Sequence, residues 1–262
     1  MASASDRSPA LFVGHGSPLT AFEQNDYVQA WRDLGRRLPR PRAILVVSGH
    51  WMTRGVAVTA MAEPPTVHDF YGFPEPLYHF RYPAPGSPQL AARTAELLAP
   101  TPVQQSQRWG LDHGAWTVLM HLYPEADVPV VELSLDGTQP PAFHYEVGRK
   151  LAPLREEGVM VMGTGNIVHN LAIYDRSGRA PPNPVAEDFR KGIQAKLERH
   201  DHQGLVHALD GSPAARLAQP TPDHFLPVLY VAALQRPEES PVYFTEVTEG
   251  GGVDMTSFVF GG

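Results

Sequence analysis

The chain has 262 residues, of which 42% are hydrophobic and 19% are charged, an ordinary balance for a globular protein with a sizeable core. The net charge is −7 and the densest basic stretch, residues 36–42, holds only four arginines, so the pattern of a nucleic-acid-binding protein is missing. There is no cysteine, which excludes disulfides and thiolate nucleophiles and leaves nitrogen and oxygen as the only metal ligands.

Short apolar runs rich in Val and Ile alternate with amphipathic stretches along the chain. The runs predict strands at Ala10–Val13, Ala43–Val47, Val56–Ala60, Val128–Leu133, Val159–Met162, Val242–Val247 and Thr256–Phe260. Helical spacing predicts helices through Tyr27, Trp31, Leu34 and Leu38, through Ala91, Ala95 and Leu98, over Ala142–Ala152, and through Phe189, Ile193 and Leu197. This alternation predicts an α/β fold with a central mixed, largely parallel sheet flanked by helices. The last two runs lie close in sequence, which favours an antiparallel edge.

No linker composition divides the chain, so we expect one domain over residues 1–262. No apolar run approaches the roughly 20 residues of a membrane helix, and Met1–Pro9 lacks the apolar stretch of a secretory signal. We therefore expect a cytoplasmic protein without a membrane partner. Three proline-rich stretches are predicted to be surface loops: Pro39–Pro41, Pro64–Pro88 and Pro181–Pro184.

Three of the predicted strands lead into a turn that carries a histidine. These are His15 in ALFVGHG, His50 in AILVVSGHW and His169 in VMVMGTGNIVHN. The loops beyond the carboxyl ends of parallel strands form the ligand crevice of an open α/β sheet, so the three side chains are expected to converge. Neighbouring glycines either allow the backbone to approach a ligand closely or only serve the turns.

The chain has 12 histidines, and most are expected to be ordinary. Those in the polar stretch, His200, His202 and His207, are predicted to be solvated, and His121 and His144 are predicted to be structural. His68 and His79 lie in a proline-rich segment that can border a pocket. The candidates for a site are His15, His50, His113, His169 and His224.

Neutral imidazole is a common ligand of divalent first-row metals, and three such ligands leave coordination positions open for a substrate. His224 stands in PTPDHFLPVLY, ahead of an apolar segment that predicts a helix. From spacing alone, the favoured interpretation of His224 is a residue in the first helical turn, with Asp223 as the N-cap.

Seven motifs are distributed along nearly the whole chain: GHGSP (Gly14–Pro18), SGHW (Ser48–Trp51), YGFPEPLYHFRYPAP (Tyr71–Pro85), LDHGAW (Leu111–Trp116), YPEADVPVVELSLD (Tyr123–Asp136), GTGNIVHNL (Gly163–Leu171) and PDHFLPVLY (Pro222–Tyr230). In their residues and their order they resemble the class III extradiol ring-cleavage dioxygenases, specifically the 4,5-DOPA dioxygenase type.

The resemblance implies a mononuclear metal held by His15, His50 and His224, with His169 as the acid/base residue and His113 lining the substrate site. It implies a catechol and dioxygen as reactants and Fe(II) as the working metal. The wider superfamily uses two histidines and a glutamate, so the third neutral imidazole here makes zinc possible in the purified protein. The expected assembly is a monomer or a small homo-oligomer.

Two other interpretations remain open from the sequence. A zinc hydrolase would activate water on the same histidines, with Asp112 or Glu132 as general base. A binding protein would keep the fold without the chemistry. Substrate selectivity is expected from the segment Tyr71–Pro85, where Arg81 either pairs with a substrate carboxylate or packs the loop.

Overall fold

The structure is a computed structural model and describes residues 7–177 and 179–261; the first six residues of the polar N-terminal stretch lie outside it. Its strands are β1 (Ala10–Gly14), β2 (Ala43–Thr53), β3 (Val56–Thr59), β4 (Val103–Ser106), β5 (Val130–Asp136), β6 (Val159–Gly165), β7 (Val242–Thr245), β8 (Thr248–Glu249), β9 (Val253–Asp254) and β10 (Ser257–Phe260).

Eight of these strands form one mixed sheet in the order β4-β3-β5-β2-β6-β1-β10-β7. The four central strands, from β5 to β1, run parallel to their neighbours. β10 pairs antiparallel with β1 and with β7, and β3 pairs antiparallel with β5. The prediction of a mixed, largely parallel sheet is therefore confirmed, as is the antiparallel pairing of the last two predicted strands.

The helices are α1 (Asp26–Arg37), α2 (Glu75–His79), α3 (Pro88–Leu98), α4 (His113–Leu122), α5 (Pro141–Lys150), α6 (Pro153–Glu156), α7 (Pro184–Glu198), α8 (His202–Val206), α9 (Pro213–Ala218) and α10 (Leu226–Ala232). A 3₁₀ turn covers Pro18–Ala21. No helix in the described part of the chain is long and apolar enough to cross a membrane.

Helices cover both faces of the sheet, because successive strand residues point to opposite sides. On β1, Ala10 and Phe12 join one buried cluster with α3, α5, α7 and α10, whereas Leu11 and Val13 join a second cluster with α1 and α4. Both faces of the central strands are buried, which explains why these strands appear in the sequence as unbroken apolar runs.

The segment Pro64–Pro88 is not the surface loop that its prolines suggest. It contains α2, and Phe70, Leu77 and Tyr82 are buried in the cluster that holds α1 and α4. The aromatic side chains supply enough apolar area to order a segment without regular strands. Asp69, which contacts the histidine cluster described below, belongs to this segment.

His144 on α5 joins that helix to α10. The ring is fully buried, and its Nδ1 lies 3.1 Å from the Tyr230 hydroxyl. Burial lowers the pKa of His144 to about 4. Below pH 6.5, the ordinary value, the unfolded chain binds a proton that the folded chain does not accept until about pH 4, so stability falls across that window.

His144→Asn, which retains an amide at the Nδ1 position, is expected to flatten this acid dependence. The loss of unfolding free energy between pH 7 and pH 5 should be about 2 kcal/mol smaller than in the wild type. Urea unfolding of the metal-free proteins measures it, with His79→Asn at an exposed position as the matched control. If His144→Asn loses as much unfolding free energy between pH 7 and pH 5 as the wild type does, His144 is not the source of this acid dependence.

Candidate metal centre

His15 directly follows β1, at the edge where the carboxyl ends of the parallel strands meet. β1 and β6 pair in register as far as Gly14 and Gly165, and the His15 backbone N–H donates to the Gly165 carbonyl over 3.2 Å. A Cβ at Gly165 would lie 2.2 Å from the His224 carbonyl oxygen, so a larger residue would push the His224 segment away. This close packing brings His15 and His224 to one place.

His50 lies inside β2, not in a turn beyond the strand as the sequence analysis predicted. In the pairing of β2 with β5, residues Val47–Met52 face only Leu133–Leu135, which makes a pronounced bulge. Bulges re-aim side chains and are common beside active sites. The His50 Nε2 atom lies 2.8 Å from the His15 Nε2 atom.

His113 is the first residue of α4, a helix that the sequence analysis missed. Nearly all of α4 is buried, so no one-sided apolar stripe marks it. Asp112 caps the helix by accepting the Ala115 N–H, and the same Oδ1 accepts the Ser48 hydroxyl over 2.8 Å. The start of α4 is thereby tied to β2, two residues before His50.

His224 lies in the turn before α10, but Asp223 is not the cap of that helix. α10 begins at Leu226 and has no side-chain cap. The Asp223 carboxylate instead accepts a hydrogen bond from the His224 Nδ1–H. The interpretation of Asp223 as an N-cap is therefore wrong, and the carboxylate orients the imidazole.

His169 lies in the loop after β6. Its backbone N–H donates to the Ala218 carbonyl over 2.8 Å, and the residue forms an isolated bridge with Val253. The imidazole stacks on that of His224, with centroids 3.6 Å apart and planes inclined by 3°. His169 thus lies on the side of the cluster that His224 occupies.

All five candidate histidines converge at this edge of the sheet. The ring centroids of His15, His50 and His224 lie 4.9, 4.8 and 5.4 Å apart, for the pairs 15–50, 50–224 and 15–224. The His113 centroid lies 3.9 Å from that of His50 and 5.6 Å from that of His15. Among the described residues, possible ligand atoms within 4.8 Å of one another form two sets: His15, His50 and His113, and His169, Asp223 and His224.

The tautomer of His15 follows from its partner Thr164. The Thr164 hydroxyl donates its single hydrogen to the Gly114 carbonyl over 2.8 Å. It must therefore accept from the His15 Nδ1–H, which lies 2.9 Å away. The lone pair of His15 is left on Nε2, the atom that faces His50.

Two carboxylates lie beside the Nδ1 atoms of the His50 and His224 rings. Asp69 Oδ2 lies 3.2 Å from His50 Nδ1, and Asp223 accepts from His224 Nδ1. Burial raises the pKa of each carboxyl, but the neighbouring histidines, His113 for Asp69 and His224 for Asp223, bring both pKa values below the usual range. An ionised carboxylate only accepts hydrogen bonds, so His224 carries its proton on Nδ1, and the negative charge beside His50 Nδ1 favours the same tautomer for His50.

The sequence analysis missed Thr164 and Asp69 and misassigned Asp223. A single Asp in a proline-rich segment carries no spacing signal, and Thr164 is hidden inside an apolar strand. Metal-bound histidines usually form a hydrogen bond through the second ring nitrogen to a carboxylate, a carbonyl or another acceptor group. The sequence predicts that each candidate histidine has a partner of this kind, but it does not say which residue the partner is.

The imidazoles of His15, His50 and His169 are neutral at pH 7 in the metal-free protein. Burial, followed by the charges of neighbouring imidazoles, holds the pKa values of His15 and His50 well below the usual range. Burial and then His224 lower the pKa of His169 to about 3. The neutral ring is the form that binds a metal or accepts a proton.

Asp112 and Glu132 form a buried acid pair behind His113. Glu132 accepts the Asp112 backbone N–H over 2.9 Å and the Trp109 Nε1–H over 3.1 Å, and both carboxyls have no exposed surface. Burial, and then the charge of Asp69, raises the pKa of Asp112 to about 6; burial, and then Asp112, raises the pKa of Glu132 well above its usual range. These two groups hold the N-terminal end of α4, and neither carboxyl group has surface exposed at the histidine cluster.

The remaining histidines lie apart from the cluster. His121 and His144 are buried, as predicted, and His207 is exposed. His202 is not simply solvated, because its ring contacts the Tyr145 hydroxyl and the Gln235 side chain. The other members of this group are His200, which is half-buried, His68, which contacts the Phe80 carbonyl, and His79, which pairs with Glu75.

Residues 9–249 of the chain, which include all five candidate histidines, match a family described as the catalytic LigB subunit of aromatic ring-opening dioxygenase. The chain belongs to this family. It is therefore an extradiol ring-cleavage dioxygenase, an oxidoreductase, as its resemblance to that class implied.

Relatives named for this activity match over almost their full length. The chain is 49% identical to the 4,5-DOPA dioxygenase extradiol of Escherichia coli K12, covering 98% of this chain and 96% of that protein. It is 36% identical to the 4,5-DOPA dioxygenase extradiol of Beta vulgaris, covering 97% and 96%. A crystal structure of an uncharacterized Escherichia coli K12 protein superimposes with a TM-score of 0.85 at 45% identity, over 97% of this chain and 99% of that one.

Proposed function

We propose that the chain is a single catalytic domain that opens the ring of a catechol, DOPA or a related compound, with dioxygen at a mononuclear Fe(II) held by His15, His50 and His224. The observation that carries the proposal is the pair of facing Nε2 atoms of His15 and His50, 2.8 Å apart. In the tautomers that Thr164 and Asp69 favour, neither atom has a proton, so the contact is repulsive unless a cation binds between them. Two nitrogens bonded to one metal at about 2.0–2.1 Å and near-right angles lie about 2.9 Å apart.

Ring spacing favours His224 over His113 as the third ligand. Imidazoles that share one metal have centroids about 3.2 Å from it, hence roughly 4.5–5.2 Å from each other at angles of about 90–110°. The His224 centroid lies 4.8 Å from that of His50, within this range, and 5.4 Å from that of His15, just beyond it. The His113 centroid is only 3.9 Å from His50, which is too close for both rings to point at one ion. His113 is left free to face a substrate.

His169 is assigned the acid/base role. A catechol hydroxyl must give up a proton on binding, and a proton must return when the oxygen–oxygen bond breaks. The neutral His169 ring, stacked on His224, accepts the first and donates the second. His113, on the opposite side of the candidate ligands, orients the substrate.

The donor set fits a late first-row divalent metal, because imidazole nitrogen suits both iron and zinc. Fe(II) supplies open coordination positions and the redox exchange between catechol and dioxygen that zinc does not provide. Three neutral imidazoles place no protein charge on the ion, and zinc is therefore a competing occupant of the purified protein.

The hydrolase interpretation finds no support at this site. Its general base would be Asp112 or Glu132, and both are fully buried and engaged in holding α4. Neither is available to a water beside His15.

Reconstitution tests the proposal. Metal-free protein loaded anaerobically with Fe(II) is offered DOPA, dopamine, protocatechuate and unsubstituted catechol, and oxygen uptake and the yellow ring-opened semialdehyde are followed. We expect one dioxygen consumed per catechol opened, no reaction under argon and none in the Zn(II)-loaded protein. Turnover without oxygen, or by the zinc form, would overturn the proposal.

A further inference from the structure

Asp69 contacts two rings of the cluster with a single oxygen atom. Its Oδ2 lies 3.0 Å from His113 Nδ1, in a hydrogen bond, and 3.2 Å from His50 Nδ1, in an electrostatic contact. Its Oδ1 accepts the His113 backbone N–H over 3.0 Å. One carboxylate therefore holds a candidate metal ligand, a substrate-facing ring and the first N–H of α4.

The backbone fixes Asp69 in this position. Val67 and Leu111 are linked by the Val67 N–H to the Leu111 carbonyl, over 2.7 Å, and Thr66 forms an isolated parallel bridge with Leu111. The Trp116 indole N–H also donates to the Val67 carbonyl over 3.0 Å. The strand-like stretch before Asp69 is thus attached to the residues on either side of His113.

The other anchors of the cluster act differently. Thr164 contacts only the His15 ring and Asp223 contacts only the His224 ring. Asp69 is the anchor shared between a ring assigned to the metal and a ring that is not. Loss of the Asp69 carboxylate would therefore affect both rings.

We propose that Asp69 is a positioning residue that sets the tautomer and the orientation of His50 and His113 together, and so couples metal binding to substrate binding. The inference rests on the proposed function. Because Asp69 Oδ2 accepts a hydrogen bond from His113 Nδ1, the Nε2 atom is the ring nitrogen of His113 that is left to face a substrate.

Comparison of Asp69→Asn with Asp223→Asn for metal binding, and with a buried carboxylate variant outside the cluster for turnover, separates this role from a packing role. We expect Asp69→Asn and Asp223→Asn to bind Zn(II) roughly 10- to 100-fold more weakly, measured by competition with a chromophoric chelator, because each loses a carboxylate partner of one ligand. When saturated with Fe(II), Asp69→Asn should also lose at least 10-fold in turnover per bound iron, whereas Asp136→Asn, which changes a buried carboxylate outside the cluster, should keep wild-type turnover.

A double variant identifies the ring through which Asp69 acts on turnover. His113→Ala alone should slow the iron-saturated enzyme, and adding Asp69→Asn should slow it no further, because the orienting contact is already lost. Asp136→Asn, at another buried carboxylate that accepts hydrogen bonds from Thr138, controls for destabilisation and should keep wild-type zinc affinity.

Wild-type zinc affinity in Asp69→Asn, or wild-type turnover of that variant once saturated with iron, would overturn the inference. Additive losses in the double variant would overturn the link through His113. A wild-type protein that binds metal but opens no catechol would refute the proposed function instead, while the zinc measurements on Asp69→Asn would still decide the coupling to His50.

Discussion

His224→Ala is expected to lose tight metal binding, whereas His113→Ala is expected to keep it. The two rings are the competing third partners of His15 and His50, and the spacing of the His224 ring comes closer to that of imidazoles on a shared metal. Removal of one of three ligands should weaken Zn(II) and Fe(II) binding by several orders of magnitude. Metal analysis after dialysis, together with chelator competition, measures the difference.

The two variants serve as each other's control, since both remove a buried imidazole from the same cluster. Metal loss in His113→Ala with retention in His224→Ala would move the site to His15, His50 and His113. It would then leave His224 as the partner of His169. Thermal melting of the metal-free variants shows whether either substitution also disturbs the fold.

His169→Ala is expected to keep most of its metal and to lose ring cleavage, in contrast to His15→Ala, which should lose both. Acid/base catalysis by a positioned imidazole typically contributes about 10²- to 10⁴-fold in rate, and we expect a loss of that size in the iron-saturated His169→Ala protein. Oxygen uptake with DOPA measures the rate, and metal analysis is made on the same sample.

His169→Phe provides the matched control, because it retains an aromatic ring to stack on His224 but has no ring nitrogen. If His169 serves only to support His224, the phenylalanine variant should recover activity. If it transfers protons, the variant should stay as slow as His169→Ala. Full activity in His169→Ala would remove the residue from the mechanism.

The sequence predicted the parts of this site that follow from strand periodicity. β1 and β6 are apolar runs that end beside His15 and His169, and parallel neighbours in a sheet bring such ends together. His224 was placed in the site by the family resemblance alone, since its spacing also suits a helix start. The close contact of its backbone with Gly165 is a tertiary feature that no local pattern encodes.

The rest depends on contacts between distant segments. The bulge that turns His50 towards His15 interrupts a strand whose composition gives no sign of it. The sequence did not predict α4 because this helix is buried on all sides, and amphipathic periodicity indicates only helices with one solvent-exposed face. Asp69 belongs to a proline-rich segment whose aromatic residues, not its turn residues, decide where it packs.

The three proposed ligands also have a consequence for how the chain holds together. His15 directly follows the first strand, His50 lies in a central strand and His224 lies in the turn before the last helix of the described residues, so a metal bound to all three would crosslink most of the sequence. Binding to the folded state alone stabilises it by mass action, by about 2.7 kcal/mol at a free metal concentration 100 times Kd. The metal-free protein should therefore unfold at a lower urea concentration than the loaded protein, because it lacks this contribution to the free energy of unfolding.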